Sequence, residues 1–152
     1  MSRTDKTTQM PNRPLRRVLF VSQRQAETMK VPKATALISI TDPSREQAHL
    51  GIGWHAVLRV AFDDVDAITF PGQDGHLLEI TVDQVVQIAA FVASVSFSCQ
   101  RLVIHCRHGV SRSAAVAKAV AEVSGASFPS EYDEYNRFVY LALQNAVRTA
   151  WS

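Results

Sequence analysis

The 152-residue sequence predicts an α/β domain with a central, mainly parallel sheet of four to five strands flanked by helices. Two observations lead to this fold class. The order of elements is three strands, a helix, a strand and two helices, and strands separated by helical segments favour a parallel sheet. The second strand segment, 35–40, is apolar almost throughout, which is typical of a strand covered on both faces.

The chain divides into a short polar tail and one domain. Residues 1–14 are rich in Thr, Asn, Gln, Pro and charged side chains, which favours a flexible tail. The remaining residues, 15–152, are enough for a single domain with a sizeable core, and they show no internal repeat or low-complexity tract.

The first half of the domain alternates strands with short helices. Runs rich in β-branched and aromatic residues, bounded by turn formers, indicate the strands. Pro32 closes the first short helix, since the residue before a proline is disfavoured in helical geometry. Turn residues at 41–44 separate the second strand from a second short helix. The expected strands are 17–22, 35–40 and 54–60, and the expected helices are 23–30 and 45–50.

The second half begins with an irregular region, 61–80, rich in Asp, Gly and Pro. A connection this long within one domain is usually functional or disordered. Thr81 then opens a helix, with Gln84 as its capping-box partner. Gly125 is a natural stop for the later helix. The expected elements are a helix at 81–96, a strand at 102–104, an almost wholly apolar helix at 112–124, and a last helical section after 128–130 with a break near Asn136 and an amphipathic run over 138–151.

The most informative segment connects the last strand to the buried helix. Cys106 stands at the end of the strand, and Arg112 follows six positions later where the helix begins. The N–H groups at such a turn have no helical partner, so they form an anion-binding device that favours the thiolate form of a cysteine placed there. The planar fork of an arginine can hold two oxygens of the same anion.

The string His-Cys-x-x-Gly-x-Ser-Arg-Ser, residues 105–113, resembles the motif of the cysteine-dependent protein tyrosine phosphatase superfamily, and most closely that of its small dual-specificity branch. The resemblance implies a phosphatase-like fold and hydrolysis through a cysteinyl-phosphate intermediate. It implies protein phosphotyrosine as substrate, with phosphoserine and phosphothreonine as further candidates, and no cofactor.

The resemblance also implies a role for each residue of the motif. Cys106 is the expected nucleophile, Ser113 assists the departing thiolate in the second step, and His105 supports the cysteine and its loop by hydrogen bonding. Asn136 resembles a residue that braces the loop in this branch, although Tyr135 stands where the family has proline; a helix N-cap is the other interpretation. The expected phosphate-binding residues are Arg107, His108, Gly109, Val110, Ser111 and Arg112.

The general acid is expected in the Asp-rich segment. The run from Phe62 to Asp64 follows the third strand and resembles the Phe-Asp-Asp of the phosphatases of regenerating liver, where the second Asp is the acid. Asp64 is therefore the first candidate, although its distance from Cys106 implies an insertion of roughly ten residues relative to the family. The alternatives are Asp63, Asp74, which fits the usual spacing by count, and Asp66.

Other functions remain open. The same loop chemistry serves inositol, lipid and nucleotide phosphates, and a catalytically weak phosphate-binding pseudophosphatase would keep the same residues. The motif disfavours a rhodanese-type sulfurtransferase. The spacing of Cys106, His105 and His108 lacks the second ligand pair of a zinc site, so no metal is expected. A regulatory disulfide between Cys99 and Cys106 is an alternative to two free thiols.

Charge and composition limit the partners. The formal net charge of +2 does not favour nucleic acid, and the expected partner is a phosphorylated protein or small phosphate ester. No segment reads as a secretory signal or a membrane span, and a catalytic thiolate needs reducing surroundings. A cytoplasmic monomer that does not bind membranes is therefore expected.

Overall fold

A computed structural model of the chain describes residues 13–72 and 75–152. Its strands form one sheet of four parallel strands in the order β1-β4-β2-β3, which confirms the α/β prediction. The elements are β1 (Arg17–Ser22), α1 (Gln23–Thr28), β2 (Thr35–Thr41), β3 (Ala56–Ala61), α2 (Val82–Val95), β4 (Arg101–Cys106), α3 (Arg112–Ser124) and α4 (Arg137–Trp151).

The two central strands carry most of the buried sheet surface. All seven residues of β2 and the last five of β4 are buried. Helix α3 packs on β1 and β4, while α4 packs against both α2 and α3. Because α3 meets the sheet through small side chains from Ala114 to Ala121, backbone and sheet lie close together. Since the strands are parallel, all their carboxyl ends lie at one edge, where ligands of open α/β sheets bind.

Local signals explain several helix boundaries. Helix α2 begins with the predicted capping box, in which Thr81 Oγ1 accepts from Gln84 N at 3.2 Å and Gln84 Oε1 accepts from Thr81 N at 3.0 Å. Helix α3 ends at Gly125, whose φ of +77° is the left-handed conformation that glycine adopts without steric cost.

The predicted helix at 45–50 is wrong, because these residues form no regular element. Their backbone groups bond to distant side chains instead: His49 N donates to Glu27 Oε2 at 2.7 Å, and Ala48 O accepts from Arg59 Nη1 at 3.0 Å. The helical section expected ahead of Asn136 is wrong for a similar reason. Its backbone forms a turn at 129–132 and then reaches across to the loop after β4.

Two further predictions concern the irregular region and the N-terminal tail. The irregular region is confirmed, since the described residues between Phe62 and Ile80 contain no helix or strand. The predicted tail falls mostly on residues 1–12, which lie outside the described part; Arg13 holds its guanidinium 4.3 Å from the ring centre of Trp151. None of the described helices has the length and apolar character needed to cross a membrane.

Candidate functional site

Strand β4 ends at Cys106 and α3 begins at Arg112, so residues 107–111 form a loop at the carboxyl edge of the sheet. Gly109 in this loop has a φ of +71°. A Cβ atom there would lie 2.4 Å from Ser22 N and from Val21 C, closer than carbon atoms pack. The loop therefore lies against the end of β1, and only glycine fits the contact.

The hydrogen bonds that join the backbone of this loop to other segments use its carbonyl oxygens. They are Gln23 N to Arg107 O at 3.3 Å, Tyr132 Oη to Val110 O at 2.5 Å, and Asn136 N to Ser111 O at 3.0 Å. Among the described residues, none accepts a hydrogen bond from the N–H groups of 107–111. In a trans peptide unit the C=O of one residue points opposite to the N–H of the next, so the N–H groups of His108, Ser111 and Arg112 turn away from the groups that anchor the preceding carbonyls.

The cysteine thiol lies at the base of this loop. Cys106 is 2% exposed, and its Sγ accepts from Ser113 N at 3.4 Å and lies 3.1 Å from Ser113 Oγ. The structure thus brings together the predicted nucleophile and the predicted hydroxyl. The N–H and the hydroxyl of Ser113 are therefore both placed to donate to this sulfur.

Arg112 is held by one of its nitrogens. Its Nη1 donates to Asp42 Oδ1 and to the carbonyl oxygen of Phe62, both at 2.7 Å, in a site where the arginine is 5% exposed. Its Nε is also buried and has no hydrogen-bond partner among the described residues. A buried donor without an acceptor is costly, and an anion in the loop would supply the acceptor.

Asp42 is a functional candidate that sequence analysis assigned only to a turn. It follows β2 directly, and it pairs with an arginine seventy residues later in the chain. The available signal was its position, since the residue after a central parallel strand lies at the ligand-binding edge.

His105 is fully buried just before the nucleophile. Its Nε2 lies 2.6 Å from Ser39 Oγ on β2, and its Nδ1 lies 3.5 Å from Cys106 O. Burial lowers the pKa of this imidazole, although the contact with Cys106 O acts in the opposite direction. The neutral ring therefore ties the end of β4 to β2. Ser39 was missed because one hydroxyl in an apolar strand is not distinctive.

The Asp-rich segment reaches the loop through Asp64. Its Oδ1 accepts from Ser111 Oγ and from Asn136 Nδ2, both at 2.8 Å. Asp63 is used differently, since its Oδ2 accepts from Leu78 N at 2.8 Å and holds the irregular region together. Asp74 lies outside the described residues. Asp64 is thus a candidate acid in hydrogen-bond contact with the loop.

Asp66 has a structural role in the described geometry. It is 6% exposed and accepts from the N–H of Arg137 at 2.9 Å and of Phe138 at 3.3 Å. Burial alone would raise its pKa, but hydrogen bonds from Thr69, Arg137 and Ile68 together lower it. The Asp66 carboxylate therefore accepts from N–H groups in the first turn of α4 that have no helical partner, and it offsets the positive end of the helix dipole.

Asn136 has both of the roles considered for it. Its Oδ1 accepts from Val139 N at 2.9 Å as the N-cap of α4, and its Nδ2 donates to Asp64 and to Val65 O. One side chain therefore connects the helix start, the Asp-rich segment and the loop.

No protein-family model matches the chain, and no curated protein does either.

Within 13–72 and 75–152, no group of three or more His, Cys, Asp or Glu side chains could hold a metal ion. Cys99 is a free, buried thiol whose pKa is raised by burial. It precedes β4 while Cys106 ends it, which separates them by roughly 20 Å at about 3.3 Å per residue. A disulfide joins Cα atoms less than about 7 Å apart, so these two cannot pair.

Proposed function

We propose that this protein is a phosphatase of the cysteine-dependent, small dual-specificity type, acting on protein phosphotyrosine through a cysteinyl-phosphate intermediate. The observation that carries the proposal is one short loop, with the helix start after it, that combines a buried thiol with a buried guanidinium Nε and with backbone N–H groups. Neither the Nε nor the N–H groups of 107–111 have a protein acceptor among the described residues. Such an array matches the tetrahedral phosphate dianion.

In the first step, the Cys106 thiolate attacks phosphorus while the bond from phosphorus to the ester oxygen breaks. The loop N–H groups and Arg112 stabilise the charge on the three non-bridging oxygens. Asp64, which accepts from Ser111 of the loop, is the candidate donor of a proton to the leaving oxygen. The alcohol or phenol departs and phosphate remains bound to sulfur.

In the second step, water attacks the phosphorus and the bond between phosphorus and sulfur breaks. The Ser113 hydroxyl, 3.1 Å from Sγ, donates to the departing thiolate. The Asp64 carboxylate takes the proton from the attacking water, and inorganic phosphate leaves. Because the resting enzyme needs a thiolate, a reducing compartment such as the cytoplasm suits the chemistry.

Replacement of the nucleophile is the direct test. Cys106→Ser is expected to abolish turnover of p-nitrophenyl phosphate while retaining phosphate binding by calorimetry, since the loop donors and Arg112 remain. Cys99→Ser is the matched control and is expected to retain turnover. Full activity in Cys106→Ser would rule out the cysteinyl-phosphate mechanism.

The inhibitor profile separates this mechanism from the alternatives. Orthovanadate is expected to inhibit, because it occupies the loop as a phosphate analogue, and EDTA is expected to have no effect. Loss of activity in EDTA would point to a metal-dependent reaction. Phosphate binding without turnover by the unmodified protein would favour the pseudophosphatase alternative.

A further inference from the structure

A groove of about 510 Å³ opens beside the Cys106 loop, between the loop and α1. Arg107 and His108 form its wall on the loop side. Arg24 of α1 and Arg45 of the segment after β2 line the rest. The groove therefore borders the loop in which the reacting phosphate is proposed to bind.

The acidic side chains of the groove already have partners. Glu27 accepts from His49 N at 2.7 Å and from Gln23 Nε2 at 3.1 Å. Glu46 lies 3.2 Å from His49 Nε2. Two hydrogen bonds thus fix Glu27 in the wall of the groove, while the contact of Glu46 with His49 is exposed to solvent.

The arginine side chains of the groove, in contrast, lack partners among the described residues. The guanidinium groups of Arg24, Arg45 and Arg107 form no hydrogen bond or ion pair with any residue in the described part of the chain. All three side chains are exposed. The groove holds these three arginines against two glutamates, so its net charge is positive.

The surface at the other end of the loop has the opposite charge. A cavity of about 300 Å³ next to Val110 and Ser111 is lined by Asp64, Asp66, Asp133 and Glu134. Its arginine, Arg137, is engaged: Nη1 donates to Asp133 O at 3.1 Å, and the guanidinium lies 4.8 Å from the ring centre of Tyr135. A substrate in the loop thus meets positive charge on one side and negative charge on the other.

We propose that this groove binds acidic residues that flank the phosphotyrosine of a protein substrate, so that the enzyme selects phosphorylated sites with carboxylates on one side only. The proposal rests on the phosphatase activity proposed above. The acid-lined cavity rejects carboxylates on the other side by repulsion, which fixes the direction in which the substrate chain runs.

The charge composition favours a peptide over a small polyphosphate. Glu27 and Glu46 lie in the same groove as the arginines. Three arginines against two glutamates give enough positive charge to pair with one or two side-chain carboxylates, but too little to balance a ligand with several phosphate groups. The exposed, open position of the groove also admits an extended chain.

The experiment compares kcat/KM for three phosphotyrosyl peptides with acidic residues before the phosphotyrosine, after it, or on neither side. The variants are Arg24→Glu and Arg45→Glu, and p-nitrophenyl phosphate is the substrate too small to reach the groove. Arg148→Glu is the matched control, since it carries the same charge change on α4, roughly 18 Å along the helix from Asn136.

The wild type is expected to prefer one acidic peptide over the neutral one by about tenfold, and each groove variant to reduce that preference about fivefold. For both groove variants, turnover of p-nitrophenyl phosphate is expected to stay within about twofold of the wild type. Arg148→Glu is expected to leave both the preference and the turnover unchanged. The preference of the wild type is expected to shrink in 0.5 M NaCl, because salt screens exposed charges.

Equal hydrolysis of acidic and neutral peptides, with normal turnover of p-nitrophenyl phosphate, would overturn the groove proposal and leave the phosphatase activity standing. No turnover of p-nitrophenyl phosphate by the wild type would contradict both the phosphatase activity and the groove proposal. An inositol polyphosphate hydrolysed faster than either acidic peptide, with dependence on Arg24 and Arg45, would overturn the peptide assignment.

Discussion

At the scale of single residues, Asp64 differs from its neighbour Asp63 in what its carboxylate contacts. Asp64 accepts from Ser111 in the loop, while Asp63 accepts from a backbone N–H of its own segment. Asp64→Asn is expected to lower kcat/KM about 10²- to 10³-fold for phenyl phosphate, because an amide accepts the same hydrogen bonds but cannot supply a proton. The loss is expected to be smaller for p-nitrophenyl phosphate, whose leaving group needs less protonation.

Asp63→Asn is the control for this prediction. It makes the same chemical change one residue away and is expected to retain most of the activity on both substrates. Steady-state kinetics on the pair of substrates measures the difference. If Asp63→Asn is the more damaging change, the assignment of the acid is wrong.

His105 links the site to the pH dependence of stability. Burial lowers its pKa in the folded protein below the ordinary value of 6.5. The unfolded chain therefore takes up the proton first as the pH falls, and the stability contributed by the neutral ring is lost below about pH 6.5, with a slope of at most about 1.4 kcal/mol per pH unit. Urea unfolding of the wild type is expected to show lower stability at pH 5 than at pH 7.

His105→Gln is expected to flatten this dependence, since Gln does not titrate. Glu27 and Asp66 have lowered pKa values too, but their ordinary values are 4.5 and 3.8, so their contributions are lost at lower pH. A wild-type stability that is equal or higher at pH 5 would contradict the neutral, buried ring.

At the scale of elements, the start of α4 and the loop share one side chain. Asn136 caps the helix with its Oδ1 and braces Asp64 with its Nδ2. Asn136→Ser keeps a capping oxygen but loses the amide donor, whereas Asn136→Ala loses both. Both variants are expected to lower turnover of p-nitrophenyl phosphate, but only Asn136→Ala is expected to lose the cap, about 1 kcal/mol relative to Asn136→Ser.

Urea unfolding and steady-state kinetics on the same preparations separate these effects. If Asn136→Ser is as active as the wild type and only the destabilised Asn136→Ala loses activity, the amide contact to Asp64 does not support the reaction.

The elements that sequence could predict are those determined by near neighbours in the chain. The capping box of Thr81 and Gln84 lies within four residues, and the strand-loop-helix string around Cys106 spans nine, 105–113. The residues at 45–50 instead take a shape set by Glu27 and Arg59 from other elements. Periodicity carries no information on such partners, so the helix predicted there was wrong.

The same distinction applies to the site. The motif contains the thiol, the hydroxyl and the arginine. The thiol and the hydroxyl lie 3.1 Å apart, and the arginine begins the helix that carries the hydroxyl. Asp42 and Ser39 reach it from β2 and its end, and their roles depend on which strands become neighbours. The sequence could not decide which Asp contacts the loop either, because this depends on the path of the irregular region, and local patterns do not determine that path.

At the scale of the whole molecule, the candidate loop joins two of the most buried elements. Strand β4 lies between β1 and β2, and α3 packs on the sheet behind it. Global unfolding separates these two elements and therefore destroys the loop, so a ligand of the loop stabilises the whole domain. Phosphate at about 100 times its Kd is expected to add about 2.7 kcal/mol, which raises Tm by roughly 5–10 °C for a chain of this size.

Differential scanning fluorimetry on Cys106→Ser, in phosphate against sodium chloride of equal ionic strength, measures this shift without turnover. Combining Cys106→Ser with Arg112→Lys is expected to remove most of it, because lysine keeps the charge but loses the Nε that has no partner among the described residues. An equal shift in the double variant would mean that phosphate binds elsewhere, since the buried guanidinium is the donor most in need of an acceptor.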